Sequence, residues 1–484
     1  MLTYWLNAKL SGDAPLGYHL LNLVIHAANT GLVFLVLSRL FALFGGMQPR
    51  TMRIAALIGS AVFLIHPLQT ESVSYVAGRS ECLAAFFILA AYAVFLYRRH
   101  AAITWLETVI VLALFALGVS TKENAVSLAG VLILTDLWWP RPFSTQQLRL
   151  NWRLYAALAA GGMLALWKVW RVLATSTSAG FSLANVTWYQ YAFTEARAFF
   201  TYLRLALFPV GQSLDHDYPV SHNIWQYGAL YYLIAVIALI ALGYAWRKRF
   251  PMACFGLFLT IILLAPTSSV VPILDPLVER RMYLPLAGLI LIGCEIARRT
   301  RVRPLAGYGV LTAVLLVFYF LCFERNRLWA QPSALWAEAA LAATTNTRPY
   351  ANLADQLVQE RRCAVAIPYL RHAEQVRPND YYVEMAWGRI LECLGRKEEA
   401  LSKLLLAAQV RPTAEIYRLI GLLYGELGRP EEAGVALRKA VELAPGWELA
   451  HSSLDLWNKW ISHLPEAERD RLESPLLTPP AAKH

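Results

Sequence analysis

Apolar residues along this chain fall into about ten blocks separated by short polar turns, at roughly 17–42, 54–66, 82–97, 102–119, 125–139, 154–172, 226–245, 251–265, 283–297 and 304–322. A perpendicular membrane helix needs about 20 apolar residues, so the longer blocks read as spans. The shorter ones must extend into polar flanks or be enclosed by protein. Tyr189–Pro209 sets Arg197 and Arg204 among Tyr, Phe and Leu, and reads as an amphipathic helix lying in the interface.

Beyond Cys322 the pattern changes to a fixed helical repeat. Pro378, Pro412 and Pro445 recur at intervals of 34 and 33 residues. Before them come Leu353, Ala354, Leu357, Ala366, Leu370 and Ala373, then Trp387, Gly388, Leu391, Ala400, Leu404 and Ala407, then Ile420, Gly421, Tyr424, Ala433, Leu437 and Ala440. Small residues where two helices cross, large ones between them and a closing proline make the tetratricopeptide pattern. Pro332–Thr347 reads as a degenerate half-repeat, and Trp447–His463 as the capping helix such a stack requires. The expected fold is therefore all-α: a polytopic membrane helical bundle over 1–322, a tetratricopeptide α-solenoid over 323–464, and a tail over 465–484, disordered from Glu473.

Charge sharpens this division. Residues 1–322 carry 24 Lys and Arg against 12 Asp and Glu, net +12, and residues 323–484 carry 20 against 21, net −1. With 57% hydrophobic and 16% charged residues the chain is far below the roughly 25% charge of soluble domains. Its basic balance does not point to nucleic acid, because the cations lie in short turns between apolar blocks. Arg50 and Arg53; Arg98 and Arg99; Arg141, Arg149 and Arg153; Arg247, Lys248 and Arg249; and Arg298, Arg299, Arg301 and Arg303 occupy alternate turns without an acid among them. Such turns stay on the inner side of a membrane. The opposite turns hold Glu71, Glu81, Glu123, Asp215, Asp217, Asp275 and Glu279. Ten spans then put the repeats on the outer side with the acids, and the N-terminus outside as well. Met1–Leu16 lacks the pattern of a signal peptide. The six cysteines show no metal spacing and read mostly as small buried side chains; a Cys363–Cys393 bridge in the repeat unit is an open alternative but not the expected state.

The candidate chemistry gathers in the acid-bearing turns. The first, His66–Glu81 (HPLQTESVSYVAGRSE), puts ionisable groups where a membrane makes them costly unless they pair or work; capping of helix ends would equally call for polar groups there. Lys122 and Glu123 sit at a helix break and suit a local ion pair as well as a site. Asp215, His216 and Asp217 have metal-binding side chains, but three adjacent residues rarely converge on one ion, so no metal or other cofactor is expected. Glu279, Arg280, Arg281 and Tyr283 open another helix. Arginines on an outer face oppose the orientation rule, and a phosphate, a lipid head group or a neighbouring acid would compensate them. Asn185-Val186-Thr187 is a glycosylation sequon, relevant only in a secretory compartment.

The stretches YHLLNLVIH (Tyr18–His26), HPLQTESVSYVAGRSE, STKENAV, YLRLALFPVGQSLDHDY and ERRMYLPLAG, followed by the repeats, resemble in order the tetratricopeptide-containing transmembrane O-mannosyltransferases and their bacterial relatives among the C-type glycosyltransferases. The resemblance implies a membrane enzyme that takes a mannose-like sugar from a polyprenyl-phosphate carrier and gives it to a protein Ser or Thr hydroxyl on the outer face. An acidic base, cations for the departing phosphate and access for the lipid are then needed. Arg280, Arg281, Lys122 and Arg79 would meet the phosphate, and the repeats would hold the acceptor protein. His66, Glu123, Glu279 and Tyr283 would line the site. The family's acidic first loop has no match here, Asp13 lying in the wrong place, so Glu71 and Asp215 are the candidate bases and the chain is read as starting late or as a non-catalytic relative. Two readings stand: this transferase, or a membrane-anchored repeat scaffold that recruits proteins. A lipid-linked sugar transporter is disfavoured, because Lys168, Asp136 and Glu295 lie near block ends rather than at mid-bilayer. A bacterial inner membrane with the repeats in the periplasm is the expected location.

Overall fold

The computed structural model of the protein describes residues 2–12, 14–98, 100, 102–139, 142–175, 186–300 and 304–473; the side chains of 164–175, 304–306, 467, 470, 471 and 473 are not described. Asp13, Arg99, Arg141, the Lys168 side chain, Asn185 of the sequon, Arg301, Arg303 and the chain after 473 therefore lie outside the described residues. The fold is all-α, in two compact units: Met1–Leu214 with Tyr218–Ala330, and Asp215–Asp217 with Gln331–His484.

The first unit runs through α1 (Leu2–Ser11), α2 (Pro15–Phe44), α3 (Pro49–Ile65), α4 (Thr70–Ser74), α5 (Arg79–Leu96), α6 (Trp105–Thr121), α7 (Ser127–Trp138), α8 (Gln146–Leu150), α9 (Trp152–Thr175), α10 (Trp188–Leu207), α11 (Ala229–Trp246), α12 (Pro251–Leu264), α13 (Leu286–Arg299) and α14 (Pro304–Trp329). Each of the ten apolar blocks is a helix, but not each is a full span. Among the described residues four helices are long and apolar enough to cross a membrane, in Pro15–Phe44, Val76–Leu96, Gln226–Trp246 and Gly307–Trp329, and the bent pair Pro49–Ile65 with Pro67–Ser74 would make a fifth. The count of ten spans is thus corrected by length. At 1.5 Å per residue the 12 residues of α7 reach only about 18 Å of a core about 30 Å thick. With several spanning helices the chain is a multi-pass membrane protein.

Close approach holds the short helices in place. A Cβ on Gly256 of α12 would meet the Gly288 carbonyl of α13, and one on Gly288 would meet Thr260. Backbones brought this near are how small residues serve helix pairs in membranes. Phe255 packs its ring 5.5 Å from Trp138, 5.2 Å from Trp139 and 5.8 Å from Phe44, closing the end where the basic turns lie. Helix α10 is the amphipathic element expected. Thr187 and Gln190 form its capping box, Tyr191, Ala198, Tyr202 and Leu205 are buried, and Trp188, Tyr189 and Leu207 are exposed.

The second unit contains α15 (Pro332–Ala342), α16 (Arg348–Gln359), α17 (Cys363–Val376), α18 (Tyr381–Cys393), α19 (Lys397–Val410), α20 (Ala414–Glu426), α21 (Pro430–Leu443), α22 (Glu448–Ile461) and α23 (Glu466–Glu473). The repeat signature is its core: Ala366, Leu370, Ala373, Ala400, Leu404, Ala407 and Ala440 are fully buried. Trp457 of the capping helix lies over Gly434. One expectation changes here. Cys363 and Cys393 form a disulfide, their Cα atoms 6.3 Å apart, within the range such a bridge spans. Helix α23 forms after the capping helix and buries Leu472.

Candidate functional site

The acid-bearing turns of the first unit meet around short 3-10 helical turns at 67–69, 123–126 and 279–282. Glu71 is buried on the first turn of α4. Its Oε2 accepts from the Arg280 backbone N–H at 2.8 Å and its Oε1 from Arg280 Nη1 at 2.6 Å. Arg280 keeps 32% of its side chain exposed against 3% for Glu71, so the pair presents a guanidinium outward from a buried carboxylate. Gly78 makes room for this turn, because a Cβ there would stand 2.6 Å from the Ser72 carbonyl and 2.9 Å from that of Glu71.

Glu279 is buried and holds another piece: Oε2 accepts from Gln212 Nε2 and Oε1 from the Ser213 backbone N–H, both at 2.7 Å. Gln212 also donates to the Pro67 carbonyl at 3.1 Å. Tyr283 anchors the third side. Its hydroxyl meets His26 Nδ1 at 2.7 Å and accepts from Asn29 Nδ2 at 2.9 Å, while its carbonyl accepts from Gln69 Nε2 at 3.2 Å. His66 caps the 67–69 turn, accepting from the Leu68 N–H at Nδ1 and placing Nε2 2.9 Å from the Ala206 carbonyl. Those partners fix the tautomer with its proton on Nε2.

Lys122 and Asn124 converge on Glu81, Lys122 Nζ on Oε1 and Asn124 Nδ2 on Oε2 at 2.9 Å. Next to this pair is a cleft with Glu81, Asn124, Ser127 and Arg281 on its polar side and Ile88 and Leu263 on its aliphatic side. Glu123 points to solvent.

Two of the arginines named from sequence are enclosed. Arg79 is fully buried; Nε donates to Asn22 Oδ1 at 2.8 Å, Nη1 to the Thr3 carbonyl and Nη2 to the Tyr18 carbonyl, both at 3.1 Å. Its guanidinium also lies 4.4 Å from the Tyr4 ring centroid. It ties α1 and α2 to the 66–81 loop from a buried position. Arg281 donates to the carbonyls of Pro276 (2.8 Å) and Asp275 (2.6 Å), with Glu195 Oε1 at 3.5 Å. Glu195 was not singled out from sequence, although a lone acid on the Tyr- and Phe-rich α10 was a usable signal. Burial pushes its carboxyl up to about 7, against the downward pull of Arg281. Asn22, His26 and Asn29 were missed as well; polar residues one to two turns apart on a long apolar helix were the mark they left.

Asp215 belongs to the second unit. Arg348 grips it through Nε (2.7 Å) and Nη2 (2.6 Å), and Asn346 Nδ2 donates at 3.1 Å. Asp217 accepts from the backbone and hydroxyl groups of Thr344 and Thr345 at 2.6–2.8 Å. Burial raises its carboxyl, but these four donors more than offset that and hold it below the usual range. Among the described residues no three His, Cys, Asp or Glu side chains are grouped to hold a metal ion.

Fold and site thus define a multi-pass membrane protein with a polar, cation-bearing cluster at one end of its helices and a helical-repeat unit after them. A tetratricopeptide repeat model matches residues 414–446. The mouse protein O-mannosyl-transferase TMTC3 is 24% identical over 522 residues, 94% of this chain and 54% of that protein. Human protein O-mannosyl-transferase TMTC4 is 24% identical over 438 residues, 76% of this chain and 56% of its own. The chain is therefore similar over nearly its whole length to the tetratricopeptide-containing transmembrane O-mannosyltransferases, and it spans about half the length of the curated relatives it matches. A solved tetratricopeptide protein, YrrB, described as having an unusual peptide-binding site, covers 44% of this chain and 89% of its own at 19% identity; its TM-score of 0.22 carries no argument.

Proposed function

We propose that the protein is a membrane glycosyltransferase that moves a mannose-like sugar from a polyprenyl-phosphate carrier to a protein Ser or Thr hydroxyl. The observation that carries this reading is the convergence of four separate turns on one cluster, with Glu71 holding Arg280, Glu81 holding Lys122, and an aliphatic-walled cleft bordered by Glu81 and Arg281. A lipid phosphate asks for cations next to apolar surface, and Arg280 and Lys122 supply them at that end. Arg79 and Arg281 act as ties that fix the loops carrying those cations. Glu71 serves as the holder of Arg280 rather than as the base, because both its oxygens are taken. The similarity to proteins named O-mannosyl-transferases supports sugar transfer to protein.

The repeats would hold the acceptor, and the Cys363–Cys393 bridge supports an oxidising compartment for them, such as a bacterial periplasm. The test is transfer itself. Full-length protein in lipid nanodiscs is given radiolabelled mannosyl-phosphoryl-undecaprenol and a periplasmic protein fraction. Label entering protein and released by mild alkali supports the reading. Absence of label with intact, monodisperse protein overturns it and favours the repeat scaffold.

A further inference from the structure

We infer that the concave face of the repeat unit binds an uncharged, extended stretch of polypeptide through its main-chain amides, with Arg418 as donor and Glu392 and Glu415 as acceptors. This names how an acceptor is held, and it rests on the reading above of the repeats as the acceptor-holding unit.

The repeat itself marks the face. Helices α16, α18 and α20 open successive repeats, and Asp355 and Arg389 occupy the same position in two of them, 34 residues apart. First helices line the concave side of such a stack, the surface these solenoids use for binding. Arg389 Nη1 donates to Asp355 Oδ2 at 2.7 Å and joins α16 to α18 along it. The charges of Arg389, Glu392, Glu415 and Arg418 act on one another there.

Partners are unevenly shared along this stripe. Arg389 is taken by Asp355. Half-buried Arg418 has no hydrogen-bond or ion-pair partner among the described residues; its Nε is buried, while its terminal nitrogens stay within reach of the groove. Its guanidinium lies over the Trp447 ring, 5.6 Å from the centroid, which steadies the group without using an N–H. Half-buried Glu392 and exposed Glu415 also lack such partners among the described residues. Burial raises the Glu392 carboxyl and Glu426 adds to the rise, as befits a carboxylate short of donors. Cation and acids thus influence each other without closing an ion pair.

Unpaired donors and acceptors side by side call for a ligand that brings both. An acidic segment, or a lipid or nucleic-acid phosphate, would set its charge against Glu392 and Glu415. A basic segment would set its charge against Arg389 and Arg418. A peptide amide carries one donor and one acceptor without net charge, and an extended chain repeats that pair about every 3.3 Å. Met385 and Leu422 stand where Arg418 and Arg389 stand in the adjoining repeat, so apolar surface alternates with charge and small side chains of varied kind fit between.

The experiment titrates full-length protein in nanodiscs by fluorescence anisotropy with a labelled Gly/Ser/Thr peptide of about 12 residues, long enough to lie along the stripe at about 3.3 Å per residue. The same peptide N-methylated at alternate amides, and versions with Asp or Lys at alternate positions, are titrated beside it. The uncharged peptide is expected to saturate the protein, with binding at least tenfold weaker after N-methylation and at least tenfold weaker to Arg418→Ala. Lys439→Ala, on α21 where the side chain pairs with Glu442, is expected to bind within twofold of wild type. Binding of the N-methylated peptide within threefold of its parent overturns the inference, and this arm, read on wild type, decides if Arg418→Ala does not fold. Arg418→Ala within threefold of wild type also overturns it, as does tighter binding of the Asp or Lys peptide, which would mean recognition of side-chain charge. Sugar transfer from radiolabelled mannosyl-phosphoryl-undecaprenol in the same nanodiscs separates the two failures. Transfer to protein without peptide binding overturns the groove alone; peptide binding without transfer overturns the transferase reading and leaves the groove to a repeat scaffold.

Discussion

At the basic end of the membrane unit Asp136 is enclosed by Arg98 (3.0 Å), Tyr155 (2.8 Å) and Asn151, partners no more than 38 residues away in sequence. Glu295 there binds Arg298 and Arg299 of its own helix, three and four residues on. At the acid-bearing end Arg280 reaches Glu71 across 209 residues, Asn29 reaches Tyr283 across 254, and Gln212 reaches Glu279 across 67. Buried charges must be paired at either end. Local partners would suffice for that, as the basic end demonstrates. Long-range pairing joins four turns into one body and sets a cleft there whose border carries Arg281 and the Glu81 that holds Lys122, which closing helix ends does not require.

The comparison can be broken by mutation, and the largest effect belongs to Arg280→Ala. It removes the exposed cation and strands a buried carboxylate, so stability is expected to fall by about 3–5 kcal/mol and transfer per folded molecule by at least about 100-fold. Chemical denaturation and the labelled-donor assay read the two separately. Asp136→Ala strands Arg98 in the same way and is expected to cost a similar amount of stability with transfer per folded molecule unchanged. A catalytic defect beyond the loss of folded protein would erase the distinction between the two ends.

Reducing the Cys363–Cys393 bridge opens a link of sequence separation 30. That is expected to lower the stability of the repeat unit by roughly 3.5 kcal/mol in the chain-entropy view, read as a lower Tm in reductant. Gly78→Ala forces a Cβ against the Ser72 carbonyl, and a cost of about 1–3 kcal/mol is expected from overpacking, with weaker donor binding as the 71–78 turn shifts.

The smallest effect is a pH dependence. Glu195 has its folded pKa raised from 4.5 to about 7. The native state therefore binds its proton more tightly than the unfolded chain, and the resulting stability is fully present below pH 4.5 and lost as pH rises through 7. Glu195→Gln should flatten that decline over pH 4.5 to 7, and a Tm profile parallel to wild type would contradict the assigned environment.

The helices and repeats were legible in the sequence because their signals are local. Leu370, Ala373, Leu404 and Ala407 occupy periodic positions and are the buried ones. The family resemblance was legible for the same reason, from contiguous motifs. Which block spans a membrane was less so, because composition marks α7 as apolar but not that it stops after 12 residues. The site was legible only in part. The turns holding Glu71, Lys122 and Arg280 were identified, yet pairing across 209 residues leaves no trace in spacing. Arg79 looked available because its partners, Asn22 and the carbonyls of Thr3 and Tyr18, lie 57, 76 and 61 residues away. Glu195 was hidden inside an amphipathic pattern whose arginines drew the eye first.

Donor binding compares the two ends most directly. Nanodisc-embedded wild type, Arg280→Ala and Arg98→Ala are titrated with radiolabelled mannosyl-phosphoryl-undecaprenol, counting only folded protein. The account predicts at least a tenfold weaker Kd for Arg280→Ala and a Kd within twofold of wild type for Arg98→Ala. Unchanged binding by Arg280→Ala, or equal weakening in both variants, would contradict it.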